Sequence, residues 1–204
     1  MTKLMSVVEL KKAPRSKALA VEQSQSLLMG CRVPKDFFVT TGKGESDITI
    51  HAGSYHLALK QAGIEMCNIM CYSSILPAVA TEIEKPKELL HGQVMETITA
   101  VSHSEDGSRA TAGITYGWLI DKETGEKFGG LVCEHNGSYT IEEIQEKLQA
   151  SLEELYYNGF SERFDLRDIR VITETIEPKK KYGTALVALC FTNYLFPVQK
   201  LGNN

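Results

Sequence analysis

One helix standing among strands constrains this chain more than any other feature. Thr140 precedes an apolar-periodic run and Glu143 follows it by three residues, the pairing of a capping box. Ile141, Ile144, Leu148, Leu152 and Leu155 then recur every three or four residues and form one apolar stripe, which Asn158-Gly159 ends. Such a stripe needs a flat apolar surface to cover, and the flanking sequence reads as strands. Residues 94–103, 110–120 and 127–134 follow one another in hairpin style, with Asp106-Gly107 and Thr124-Gly125 as the turn signals between them. Residues 169–177 and 183–196 read as closing strands. Strands in antiparallel hairpins with two helices long enough to cover them indicate an α+β layered sandwich.

Upstream of this, residues 37–41 read as a strand and Gly42-Lys43-Gly44 as a turn. Residues 54–63 read as a short helix with Ser54 as N-cap, with Leu57, Ala58 and Ala62 on one face and Gly63 as the stop. Residues 64–76 read as one strand, with Ile64, Met66, Asn68, Met70 and Tyr72 on one face and Cys67, Ile69, Cys71 and Ser73 on the other. Glycines in the strand at 110–119 signal close backbone approach. Residues 21–30 suggest a short helix ending at Gly30, inside an N-terminal extension, 1–33, suited to docking or oligomer contact.

Charge and composition remove several function classes. The net charge is −4, and no broad basic face suggests nucleic acid. Lys179-Lys180-Lys181 runs into Tyr182-Gly183 and reads as a solvated turn. The longest apolar run, residues 184–196, is too short to span a bilayer, and the first 22 residues lack a signal-peptide apolar stretch. A soluble, cytoplasmic protein is expected. The five cysteines are scattered without a CxxC, so buried reduced thiols are expected and a zinc site is not. Gly42-Lys43-Gly44 lacks the spacing of a phosphate-binding loop.

The stretch Cys71-Tyr72-Ser73-Ser74-Ile75-Leu76-Pro77 does not read as a surface loop. A buried hydroxyl without a partner costs roughly 1–3 kcal/mol, so two adjacent ones need a reason. One reason is a strand-ending turn whose hydroxyls bond nearby backbone. The other is chemical. Ser74 Oγ can attack the Ser73 carbonyl to give an ester, elimination can break that ester to leave dehydroalanine, and hydrolysis can turn the new N-terminus into a pyruvoyl group. That ketone condenses with amines and serves as an electron sink for decarboxylation.

Here the sequence resembles the pyruvoyl-dependent arginine decarboxylases of the archaeal and chlamydial type. The segment from Asn68 to Pro77 is similar to their self-cleavage segment, with an Asn six residues before the cleaving serine. Residues 42–47, 91–98, 129–135 and 180–194 resemble further family segments in order, so the likeness runs over about residues 34–194. The resemblance implies a four-layer αββα sandwich of mainly antiparallel strands, self-cleaved into a small chain to Ser73 and a large chain 74–204. It implies a domain from 34 to 204 and a homotrimer or hexamer with the active site between protomers. Its cofactor would be a covalent pyruvoyl group made from Ser74, with no metal and no pyridoxal phosphate. Ser74 and Glu134 would be catalytic, Glu134 as the acid that reprotonates the α-carbon, its pKa raised by desolvation. Asn68 would assist cleavage or bind substrate beside Ser73.

One position departs from the family. An acidic residue on the first helix holds the substrate guanidinium there, and His56 stands at that place. A histidine cannot make the bidentate pairing a carboxylate makes. Either Asp47 or Glu45 supplies the charge, or the substrate is a different amino acid. Two other readings remain: a self-cleaving hydrolase using a free N-terminal Ser74, and a non-catalytic binder that never cleaves.

Overall fold

The computed structural model describes residues 27–200. The first half contains β1 (Leu27–Met29), β2 (Val33–Pro34), β3 (Asp36–Ser46), helix α1 (His56–Ala62), β4 (Asn68–Cys71), β5 (Ile75–Pro77) and β6 (Thr81–Glu82). Then come β7 (Val94–Ser104), β8 (Ala110–Asp121), β9 (Lys127–Gly137), helix α2 (Ile141–Gly159), β10 (Phe164–Ile176), β11 (Tyr182–Phe191), β12 (Tyr194–Leu195) and β13 (Val198–Lys200). By contacts the chain divides at Gly30 and Pro197. β1 and β13 pair antiparallel with each other in the smaller unit. The expected helix at 21–30 is corrected in its last turn, which is β1; its first residues, 21–26, lie outside the described ones.

The body, Cys31–Pro197, contains two large sheets, one ordered β4-β7-β11-β3-β6 and one ordered β10-β8-β9-β5. The pairings are antiparallel except β4 with β7 and β3 with β6. This mix of antiparallel-dominated sheets and two helices is α+β. β11 explains the apolar run of the C-terminal third. Ala185, Val187, Leu189 and Phe191 join Phe37, Ile98, Ile114, Tyr116, Val132 and Leu76 in one buried cluster drawn from both sheets. Leu186, Ala188 and Cys190, on the alternate face, pack with Ala58, Leu59 and Ala62 of α1. A strand covered on both faces has to read as continuous apolar sequence. The α2 stripe buries Ile144, Leu148 and Leu152, and the Thr140–Glu143 capping box forms as the sequence predicts.

The differences from the sequence reading have physical causes. β7 and β8 are not a hairpin: the Asp106-Gly107 turn carries the chain from one sheet to the other, and only β8 and β9 pair directly. Turn residues report a change of direction, and two strands so joined can still enter different sheets. Gly42-Lys43-Gly44 is not a turn but the middle of β3. A Cβ on Gly42 would strike the Ala58 carbonyl and come within 2.9 Å of the Ala62 nitrogen, so this glycine lets α1 lie directly on the strand. Gly113 works the same way on the other sheet, where a Cβ would stand 2.7 Å from Leu148 Cδ1 of α2. Ser54 does not cap α1. It lies in a wide π-helical turn, Ile50–Tyr55, with its hydroxyl 2.8 Å from Thr184 Oγ1. The buried face of α1 is Ala58, Leu59 and Ala62, with Leu57 exposed, while Gly63 ends the helix in the left-handed conformation as expected. The strand expected at 64–76 is broken: only Asn68–Cys71 and Ile75–Pro77 are strands, in different sheets. Of the cysteines only Cys190 is fully buried, and Cys31 and Cys71 are exposed.

Gly42→Ala is expected to destabilise the protein by about 3 kcal/mol, because helix backbone cannot yield to the added methyl as a flexible side chain would. Urea unfolding of wild type and variant measures this; equal midpoints would mean that α1 is not seated so closely on β3.

Candidate active site

The break in the expected strand is where Ser73 and Ser74 sit. β4 runs parallel to β7, and the pairing ends as the Tyr72 amide donates to the Thr97 carbonyl at 2.6 Å. The Tyr72 ring packs on Phe191, centroids 5.7 Å apart. The chain then leaves this sheet. On the far side the Ser74 carbonyl accepts from the Val132 amide at 3.0 Å, and β5 continues antiparallel to β9 with Ile75 opposite Leu131. Leu76 is fully buried in the shared core and anchors the arriving strand. Pro77 has no amide proton to give, and its place on an edge strand tolerates this. The pair of serines is therefore a crossover between two sheets, held by backbone bonds at both ends. The expectation that both hydroxyls are buried is corrected: Ser73 is exposed and Ser74 half-buried.

β9 brings Glu134 to this crossover. Ser74 Oγ lies 3.5 Å from Glu134 Oε2, the outer limit of a hydrogen bond. Glu134 is exposed as a residue, yet partial desolvation of its carboxyl raises it above its ordinary 4.5, and the bonds from Ser74 and from its own backbone amide offset this only in part. Its neighbour Cys133 turns to the α2 side, where Leu119, Leu131 and Leu152 cluster, and burial with the Glu134 charge pushes its thiol up to about 11. A hydroxyl facing a carboxyl that holds a proton readily is the arrangement of a nucleophile and its general base.

The other expected site residues are not gathered here within one chain. Asn68 begins β4 opposite Val94, about 10 Å before Cys71 at the usual strand rise. Its Nδ2 donates to the Gly92 carbonyl at 2.9 Å. Cys71 is level with Thr97, Cys190 and Phe38, whereas Glu45 is level with Gly183 and Ser104. That separation is about 20 Å along the sheet. Asp47 lies beyond it. Glu45 accepts from the Lys179 amide at 2.7 Å and Asp47 from the Lys181 amide at 3.4 Å, so both carboxylates fasten the β10–β11 connection. His56 is exposed at the start of α1, over the same end of the sheet, because the preceding Ser54 carbonyl lies against Gly44.

Sequence reasoning missed the polar groups that tie the sheets together. Tyr116 donates to Glu82 Oε2 at 2.6 Å and Arg170 bonds the same oxygen, linking the edge strand β6 of one sheet to β8 and β10 of the other. Near the crossover, Arg32 pairs with the buried carboxylate of Glu96 and lies over the Tyr194 ring, 5.5 Å from its centroid. Both pairings join residues far apart in sequence, and no local pattern signals them. Among the described residues no group of three or more His, Cys, Asp or Glu side chains could hold a metal ion, and no helix is long and apolar enough to cross a membrane.

Comparison with known proteins shows the family. The family described as pyruvoyl-dependent arginine decarboxylase matches residues 36–196. The chain is 27% identical to the pyruvoyl-dependent arginine decarboxylase of Thermococcus kodakarensis, covering 81% of this chain and all of that protein. It is 33% identical to the pyruvoyl-dependent arginine decarboxylase AaxB of Chlamydia pneumoniae and 32% to that of Chlamydia caviae, in each case over 81% of this chain and 94% of the relative. The chain belongs to the pyruvoyl-dependent arginine decarboxylase family.

The raised Glu134 carboxyl has a consequence for stability. The neutral form is favoured in the fold, so its contribution is full below the ordinary value of 4.5 and is lost as pH rises through the higher folded value. Glu134→Gln keeps a neutral group in place. Compared in a Ser74→Ala background, the Gln variant is expected to melt with its parent in acid and above it at neutral pH. A melting difference that does not change with pH would show that Glu134 ionises as freely as in the unfolded chain.

Proposed function

We propose that this chain is the precursor of an α-decarboxylase acting on L-arginine, activated by its own cleavage between Ser73 and Ser74. The observation that carries the reading is the Ser74 hydroxyl opposite Glu134 on a crossover pinned by Tyr72 and Ser74 backbone bonds. Glu134 Oε2 takes the hydroxyl proton as Ser74 Oγ attacks the Ser73 carbonyl, and the products are a small chain, 1–73, and a large chain, 74–204. The pyruvoyl group, once formed at position 74, supplies a ketone that takes up the substrate amine and accepts the electron pair released with CO2. Glu134, exposed on β9 beside Ser74, then holds the proton that the substrate α-carbon receives. The carboxyl is raised from its ordinary value, which is the direction a general acid needs. Asn68 assists cleavage or substrate binding.

The relatives' names support arginine as substrate and agmatine and CO2 as products. His56, where the family resemblance leads one to expect a carboxylate, favours a second reading: the same chemistry on another amino acid. The separation of His56 and Asp47 from Ser74 of the same chain supports an assembly, a homotrimer or hexamer, in which one protomer's substrate-binding end meets its neighbour's crossover. The two sheets sharing one core, with α1 on one and α2 on the other, support the four-layer αββα arrangement. The decarboxylase domain is taken as residues 34–204, with 1–33 as an extension, in a protein of the cytoplasm.

Intact-mass measurement of purified wild type and Ser74→Ala tests this. Wild type is expected as two fragments, the larger bearing a ketone in place of the serine amine, and Ser74→Ala as one uncut chain. A single uncut wild-type chain would remove the electrophile and with it the enzyme. A larger fragment with a free serine amine would instead indicate an N-terminal-serine hydrolase. CO2 release from arginine, compared with other amino acids, then decides the substrate: arginine is expected to lead, and a different preferred amino acid would assign the second reading.

A further inference from the structure

The same crossover contains one more bond that bears on cleavage. The Ile75 amide donates to the Ser73 carbonyl at 3.1 Å, closing a three-residue turn with Ser74 at its centre. Ser74 does not have positive φ, so the turn is of the inverse type. The Ser73 carbonyl is the group that Ser74 Oγ would attack. We propose that the Ile75 backbone amide is the oxyanion donor for self-cleavage, stabilising the charge that develops on the Ser73 oxygen. This rests on the reading that the chain cuts itself between Ser73 and Ser74.

Sheet geometry leaves this amide available. Ser74 and Val132 are bonded across the β5–β9 pair, so the next pair, Ile75 with Leu131, is a non-bonded one, and the Ile75 amide points away from β9. Among the described residues β5 is the edge of its sheet, and no further strand lies on that side. The Ile75 proton therefore goes to the Ser73 carbonyl and to no ladder. The Val132 bond to the Ser74 carbonyl fixes the next peptide, so the donor and the reacting carbonyl are set before reaction begins. An oxyanion donor acts at about 2.7–3.1 Å from the oxygen, and removing one typically slows reaction by about 10²–10³-fold.

The step balances within the chain. The Ser74 Oγ–H proton passes to the Glu134 carboxylate as Oγ bonds the Ser73 carbonyl carbon, and the carbonyl electron pair moves to the oxygen facing Ile75. Collapse re-forms the carbonyl and breaks the bond to the Ser74 nitrogen, which takes the proton from Glu134 and becomes an amine. The product is an ester between Ser73 and Ser74. Glu134, again a carboxylate, takes the Ser74 α-proton as the Ser74 Cβ–Oγ bond breaks, which expels Ser73 as a carboxylate and leaves dehydroalanine; its imine tautomer adds water and loses the nitrogen as ammonia.

The test replaces the Ile75 amide with an ester, by incorporating the matching α-hydroxy acid in full-length chain made by cell-free translation. This removes the one proton and keeps the side chain. Cleavage is followed by mass, with Ile75→Val, which keeps the amide, as control. Hydroxylamine, which cuts esters but not peptides, reports how much of the first intermediate forms through the mass of a 1–73 hydroxamate; the ester built in before residue 75 gives a 1–74 fragment instead. The expected result is normal cleavage for Ile75→Val, and cleavage and 1–73 hydroxamate both reduced about 10²–10³-fold for the α-hydroxy variant. Cleavage of that variant at the wild-type rate would overturn the proposal. Failure of wild type itself to cut would instead overturn the self-processing reading. Hydrogen exchange of the Ile75 amide in uncut Ser74→Ala gives a measurement independent of the ester variant's folding: protection is expected, and exchange at the rate of an open peptide would also overturn the proposal.

Discussion

The passage of residues 72–74 from one sheet to the other is the constraint on which the site depends. Two backbone bonds, Tyr72 to Thr97 and Val132 to Ser74, fix the ends of this passage on strands that belong to different sheets. Backbone bonds of this kind are obligatory for strands leaving and entering a sheet, so the crossover cannot slide without unpairing both. Leu76 fastens one end in the shared core, and Tyr72 rests on Phe191 at the other. The serines need no side-chain framework of their own. Their geometry follows from the packing of the two sheets, and Glu134 meets Ser74 because β5 has been laid against β9.

Much of the framework was legible because it obeys local rules. The α2 stripe and its capping box, the β8–β9 turn and the Gly63 stop are each written within a few residues, and each forms. What was not legible is which sheet a strand enters. Residues 64–76 alternate well enough to read as one strand, yet the chain changes sheets at Ser73 and Ser74. Period-2 patterning reports which face of a strand is buried and carries no information about its neighbour. The glycines of β3 misled for a related reason: they read as a turn, whereas they make room for a helix that the local sequence does not contain.

The candidate site divides along the same line. The serine pair and the strand-end glutamate were chosen from sequence by their chemistry and their likeness to a family, and Ser74 and Glu134 do meet. Asn68, Asp47 and His56 were chosen in the same way, and within one chain they stand apart from Ser74. Sequence order says nothing of distance along a sheet, and the register of β3, β11 and β7 sets that distance. The Ile75 amide could not have been chosen at all, since every residue but proline carries one, and only its turning away from β9 distinguishes it.

The order β4-β7-β11-β3-β6 interleaves strands from before and after the crossover. β3 and β4 precede Ser74, while β7, β11 and β6 follow it, so β3 lies between two strands of the later segment. A cut at the crossover would therefore sever the chain without dividing the body: the larger piece would keep the four-stranded sheet β10-β8-β9-β5, and neither piece would keep the five-stranded one whole. The uncut polypeptide unfolds as one molecule. The cut one would come apart into two, and its resistance to denaturation would become a function of protein concentration, as for any assembly whose parts do not fold alone. Activation would thus turn a tertiary structure into a quaternary one with no strand changing place.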